Sequence, residues 1–292
     1  IAQPTEISAS TNGISINPLQ IFPDDVMGPI NVAQRVADTF CRIYPRMGIQ
    51  QKEAIIEAIE NAFRLVGVSA GVKDSWELAL PDINEVQRIL REISESKGNP
   101  LRRPAGTAYS HTRSFFRFNV LRDEGEKLTW DQMAASRGAW IIQMKGLEHF
   151  VSMIITEMLL WDLISFLQSE GPQNIRMMVV LDEAHKLSFD RGTPVEWILR
   201  EGRKFGIGVI LASQQLEDYS KVALSNTATK IVFQNTDERH ALSKSIAKKC
   251  TNISDYRDIS RIFATLKRGK AFVVSENVGR MVGIDSLNLR RP

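Results

Sequence analysis

The chain has 292 residues, of which 43% are hydrophobic, 24% charged and 8% aromatic. Those are globular proportions, so a disordered, collagen-like or disulfide-stapled polypeptide is excluded, and the length suits one large domain or two modest ones. Thirty-seven Lys and Arg against 34 Asp and Glu leave a net charge of only +3, so any nucleic-acid surface must come from local clustering.

Residues 1–30 read as an opening segment of the main core, with one alternating run, Ile14, Ile16 and Leu19, that fits a single strand. From Asn31 to Lys97 the pattern is helical. Val32, Val36, Phe40 and Ile43 recur at three- and four-residue steps until Pro45. Ile55, Ile56, Ile59 and Phe63 make a second face, with Glu53, Glu57 and Glu60 opposite. Asp82 followed by Glu85 caps a third helix carrying Val86, Ile89, Leu90 and Ile93. Pro100 and Pro104 close this helical subdomain, placed at residues 31–100.

Over residues 101–292, apolar β-branched runs alternate with helices. The expected strands are Ala139–Met144, Met177–Leu181, Ile207–Ala212, Lys230–Gln234, Ala271–Ser275 and Met281–Ile284. The expected helices are Leu147–Gln168, Val195–Lys204 and Glu238–Lys248. Within the first of these, the stretch from Phe150 to Leu167 is very apolar but carries Glu157 and Asp162, so it reads as a buried core helix and not a membrane insertion. The alternation predicts an α/β fold, a mostly parallel sheet flanked by helices. Only Glu276–Arg280 separates the last two strands, which predicts an antiparallel edge hairpin. The two cysteines, Cys41 and Cys250, have no partner at metal spacing, and a cytoplasmic location is expected.

The sharpest local signal is Met177-Met178-Val179-Val180-Leu181-Asp182-Glu183, five apolar residues read as a buried strand with two acids at its C-terminal end. Ligands of open α/β sheets bind there. Asp182 can hold Mg²⁺ or its water shell, and Glu183 can take a proton from an attacking water: a Walker B pattern. The bland alternative is a strand that ends in polar residues. His185 reads as a helix-start or packing residue. Asp182-Glu183-Ala184-His185 also matches a DEAH-box tetrad, but the second motor lobe such a helicase needs has no room in the residues that follow.

The strand Ile207–Ala212 ends in Ser213-Gln214, and an amide there can touch both the attacking water and the γ-phosphate. Arg200 and Arg203 lie before that strand. By spacing alone they are the basic end of a helix capped by Gly206; the functional alternative is an arginine finger. The helix returns its end to the side away from its own strand tips, so a ring neighbour's nucleotide is the plausible target. Residues 239–270 hold Arg239, Lys244, Lys248, Lys249, Arg257, Arg261, Lys267, Arg268 and Lys270 against Asp255 and Asp258. This is either a strip that tracks a phosphate backbone or two solvated helix faces. A phosphate-binding loop, Gly-x4-Gly-Lys-Ser/Thr, is absent: Gly269-Lys270 continues with Ala271. The chain opens on Ile1 without Met, and the loop is expected ahead of it.

The runs Met177–Lys186, Arg200–Gln214, Leu224-Ser225-Asn226 and Ile231-Val232-Phe233 resemble the HerA branch of the HerA/FtsK superfamily, hexameric DNA-pumping ATPases with a RecA-like core. Ile16-Asn17-Pro18-Leu19 is similar to the segment after the Walker A helix and next strand. Residues 31–100 are similar to the family's helical insertion, and Gly138–Gly146 to the strand before its long helix. The resemblance implies a RecA-like ATPase core over 101–292, ATP and Mg²⁺ as cofactors, and a homo-hexamer that moves DNA with a nuclease partner in DNA processing, restriction or defence. It implies Asp182 as the Mg²⁺-associated acid, Glu183 as catalytic base and Gln214 as polar sensor, with Arg203, and secondarily Arg200, serving a neighbour's site. Lys248, Lys249, Arg257 and Arg261 become candidates for DNA contact. A secretion or conjugation ATPase and a non-catalytic scaffold are the alternatives. Without the loop, the 292 residues alone are expected to be inactive.

Overall fold

Val32, Val36, Phe40 and Ile43 do share one helix face, and that face is buried. The structure is a computed structural model. It describes residues 3–22, 24–136, 138–213, 221–234, 243–244, 246–248, 250, 252, 255–267, 269–275 and 278–283. The chain divides into two units, residues 1–178 with 201–208, and residues 179–200 with 209–292.

In the first unit, strand β1 (Thr5–Ser8) leads through the short helix α1 (Ala9–Asn12) to β2 (Ile14–Ser15). The helices α2 (Pro29–Ile43), α3 (Ile49–Leu65), α4 (Ile83–Glu95) and α5 (Arg102–Phe118) follow. Pro29 stands at the start of α2, where its missing N–H costs nothing. Asp82 caps α4 as expected, its carboxylate accepting from the Asn84 amide at 2.6 Å. Phe40 of α2 meets Phe115 of α5 edge-on, ring centroids 5.1 Å apart, and Phe115 meets Phe116 at 5.0 Å. Each such ring, once buried, contributes about 1.5–3 kcal/mol.

Then come β3 (Glu126–Lys127), α6 (Trp130–Ala135), β4 (Trp140–Gln143), α7 (His149–Glu170) and β5 (Gln173–Leu181). β1 pairs with β4 and β2 with β3, both in parallel. α7 is long and apolar enough to cross a membrane by length and composition alone. Here it buries Val151, Ile154, Ile155, Leu163 and Leu167 inside the unit. Its Glu157, 1% exposed, is ion-paired with Arg42 of α2. Burial nonetheless pushes the Glu157 carboxyl above the usual carboxylate range, with Arg42 and Thr39 opposing.

Beyond β5 lie α8 (Pro194–Glu201), β6 (Phe205–Leu211), α9 (Lys221–Asn226), β7 (Lys230–Val232), α10 (Tyr256–Thr265), β8 (Lys270–Ser275) and β9 (Val278–Gly283). β5 pairs with β6. β7, β8 and β9 form an antiparallel sheet, so the expected edge hairpin is present. α10 packs on that sheet through Ile259, Phe263 and Leu266, with Phe263 edge-on to Phe272 at 5.6 Å. The expected helix Glu238–Lys248 falls largely outside the described residues.

Three local readings are corrected. The helix expected over Val195–Lys204 ends at Glu201 and tightens into a 3₁₀ turn, Gly202–Lys204. Gly206 is no helix cap. It lies within β6 at φ 82°, and a Cβ there would meet the Asn174 carbonyl of β5 at 2.7 Å, so only glycine allows the two strands their approach. The strand Met177–Leu181 is not buried throughout: Leu181 is buried, whereas Met178 and Val180 are more than half exposed, because β5 shows side chains to alternate faces and one face is open among the described residues.

Candidate functional site

β5 delivers Asp182 and Glu183 at its C-terminal end. The next residues, Ala184–Lys186, make a 3₁₀ turn. β6 fixes this turn in place. The Ala212 amide donates to the Leu181 carbonyl at 2.9 Å, and the Ala184 amide donates to the Ala212 carbonyl at 2.8 Å. Ala212, one residue past β6, thus brackets the acid pair on both sides.

Glu183 adopts a left-handed backbone, φ 52° and ψ 40°. Non-glycine residues occupy this region at a cost of about 1–2 kcal/mol. Such strain persists where the surroundings impose it, and it concentrates at working sites. Asp182 is exposed, one of its oxygens accepting from the Glu183 amide at 3.0 Å.

An ammonium and an imidazole stand near the Glu183 carboxylate. Lys186 Nζ and His185 Nε2 each lie 3.6 Å from Oε2. His185 Nδ1 lies 3.2 Å from Ser213 Oγ, at the tip of β6. His185 sits in the 3₁₀ turn, as its helix-start reading expects, and its ring also lies between the Glu183 and Ser213 side chains. Nothing in its sequence position showed this; the signal was that Ser213 and the acid pair end neighbouring strands.

A lone exposed carboxylate at a strand end fits a hard cation that keeps waters and takes further oxygens from a phosphate. Among the described residues no cluster of three or more His, Cys, Asp or Glu forms a closed metal cage. Asp182 is the residue that could hold Mg²⁺.

Other sequence candidates fall in different places. Gln214 and Lys249 lie outside the described residues. Arg200 is ion-paired at 2.9 Å with Glu196, one turn back on α8. Arg203 lies in the exposed 3₁₀ turn ahead of β6, with no ion pair among the described residues. Arg257 and Arg261 share a face of α10, and Arg261 pairs with Asp258 at 3.2 Å. Lys248 is exposed on a separate segment. The sequence reading missed Tyr256: the Lys244 ammonium and the Arg257 guanidinium lie 5.3 and 6.0 Å from its ring centroid. An aromatic between cations suits nucleic acid better than the cations alone.

No family model matches the chain. Among curated proteins, the DNA double-strand break repair helicase HerA of Sulfurisphaera tokodaii is 35% identical over 116 residues, 37% of this chain and 22% of that one. The probable helicase MJECL08 of Methanocaldococcus jannaschii is 30% identical over 109 residues, 35% and 20% of the two chains. The matched stretch thus spans about a fifth of each curated relative. In fold, the chain is similar to VirB4 of Thermoanaerobacter pseudethanolicus, with a TM-score of 0.72 at 17% identity over 98% of this chain and 77% of that one. The plasmid coupling protein TrwB, in a complex with ADP and Mg²⁺, gives 0.60 at 12% identity over 97% and 74%.

Proposed function

We infer that this chain, a member of the HerA/FtsK superfamily of ATPases with a RecA-like fold, is the hydrolytic part of an ATP-driven motor that moves along DNA. The observation that carries the reading is the acid pair beyond β5, with Glu183 held in a left-handed backbone and braced from β6.

In the proposed reaction, Asp182 would hold a Mg²⁺ ion through its water shell, and the ion would supply positive charge to the phosphate oxygens. Glu183 takes the proton of the attacking water. Gln214 senses the γ-phosphate, and Arg203 serves a neighbouring subunit's nucleotide in a homo-hexamer, with Arg200 as the secondary candidate. Lys248, Lys249, Arg257 and Arg261 contact DNA. Residues 1–30 and 101–292 form the ATPase core and residues 31–100 a helical subdomain. The motor works in the cytoplasm with a nuclease partner, in DNA processing, restriction or defence. The 292 residues contain no Gly-x4-Gly-Lys-Ser/Thr, so the phosphate cradle is assigned to chain outside them, and these residues alone bind Mg-ATP weakly.

Triplex displacement tests the motor reading. The longer protein carrying the phosphate loop should strip a third strand from duplex DNA when ATP is supplied, more slowly the farther away the triplex sits. ATP hydrolysis with no response to DNA and no displacement would overturn the reading.

A further inference from the structure

Helix α5 carries a surface for which the ATPase site has no use. Its inner side is apolar: Ala105, Ala108, Phe115 and Phe116 are buried. Its outer side exposes Arg102, Arg103, Arg113 and Arg117, and the helix contains no Asp or Glu. The neighbouring α4 is different. There Arg88 is tied to Glu85 at 2.7 Å and Arg91 to Glu95 at 3.0 Å. On α5, Arg103, Arg113 and Arg117 make no ion pair among the described residues, and Arg102 reaches a neutral acceptor, the Ser94 carbonyl, at 3.2 Å.

The spacing is regular. Arg103, Ser110 and Arg117 follow at seven-residue steps and fall on one line along the helix, about 21 Å from end to end at 1.5 Å per residue. Arg113 flanks that line. Gly106, Thr107 and Ser110 form a low floor between the arginines, and the two hydroxyls turn back onto the carbonyls of Arg103 and Gly106. Arg103, Arg113 and Arg117 are exposed. The exposed large apolar side chain of α5 is Phe118, its last residue. A membrane-surface helix needs a whole apolar face to bury in lipid. A line of cations with no ion pair among the described residues instead suits a regular polyanion, and each strand of DNA presents a charge about every 3.4 Å.

We propose that the exposed face of α5 is a contact surface for the phosphate backbone of duplex DNA, with Arg103, Arg113 and Arg117 each neutralising one phosphate. Its arginines are other residues than the basic ones on and before α10. It requires neither nucleotide nor hydrolysis.

The test is equilibrium binding of this chain to a fluorescent 30-base-pair duplex between 50 and 200 mM KCl, probe conditions set at about the range in which counterion release is read. Each phosphate contact contributes about 0.9 to the slope of log K against log salt, so Arg103→Gln/Arg113→Gln/Arg117→Gln should shallow it by about 2.7. The corresponding triple Arg→Lys variant keeps the charge and should hold the wild-type slope within about one contact's worth. Glu183→Gln should bind the duplex as the wild type does, which separates this proposal from the hydrolytic assignment. Thermal melts of the variants guard against misfolding, and Gln keeps the helix propensity of Arg. An unchanged slope in the folded Gln variant overturns the proposal. So does equal loss in the Lys variant, or a wild-type chain that pellets with phosphatidylserine vesicles but ignores the duplex.

Discussion

Glu183 is the residue at which sequence, backbone and chemistry meet. Its left-handed backbone would suit glycine, yet a carboxylate stands there, braced on either side by the Ala184 amide donating to the Ala212 carbonyl and the Ala212 amide donating to the Leu181 carbonyl. The strain offers a test independent of activity. Glu183→Gly and Glu183→Ala both remove the carboxylate, but Ala keeps the strained backbone. Glu183→Gly should therefore be more stable than Glu183→Ala by about 1 kcal/mol, measured by urea unfolding. Equal stabilities would mean the left-handed conformation is not enforced. The identity of the acid pair was legible in the sequence, since five apolar residues running into Asp182-Glu183 form a pattern. The bridge from Ser213 through His185 toward Glu183 was not, because it joins residues 28 apart through strand pairing.

Among the elements, α7 holds a buried acid, Glu157, and a half-buried one, Asp162. Burial pushes the Asp162 carboxyl above the usual range, and the 2.7 Å hydrogen bond it accepts from Trp130 Nε1 works against that push. A carboxyl with a raised folded-state pKa adds stability that is complete below its unfolded pKa, about 3.9, and is lost as pH rises through the folded value. Asp162→Asn keeps an acceptor for Trp130 and removes the buried charge. Its melting temperature should exceed that of the wild type at pH 7 and converge with it toward about pH 3.9. A lower melting temperature at neutral pH would show that the charge itself is needed. Glu157 shifts in the same direction for the same reason, but its partner Arg42 would be stranded by a neutral substitution, so Asp162 is the cleaner probe.

Apolar periodicity made α2, α3, α4, α7 and the edge hairpin readable. α5 escaped because Pro104 and Gly106 look like breakers. Pro104 in fact stands in the first turn, where no partner is needed for its nitrogen, and Asn99 steadies the turn by accepting from the Leu101 amide at 2.8 Å. The overrun of α8 has a different cause: Gly202 and the two cations after it fit a helix end as well as the 3₁₀ turn they form.

At the scale of the whole molecule, the proposed hexamer makes a prediction that no single chain can satisfy. Arg203→Ala should leave folding and ATP binding nearly intact yet remove most turnover, since an arginine supplied in trans is worth about a thousandfold or more. Mixing Arg203→Ala with Glu183→Gln subunits should partly restore activity, because some interfaces then pair an intact base with an intact arginine. Mixed rings as inactive as either parent, with subunit exchange demonstrated, would leave Arg203 as an exposed charge in the 3₁₀ turn ahead of β6. The most direct test of the central claim is single-turnover hydrolysis of saturating Mg-ATP by the proposed longer protein, carrying the phosphate loop, with Glu183→Gln. The account predicts a rate lower by about a hundred- to ten-thousandfold with nucleotide binding retained; a rate within a few-fold of wild type would contradict it.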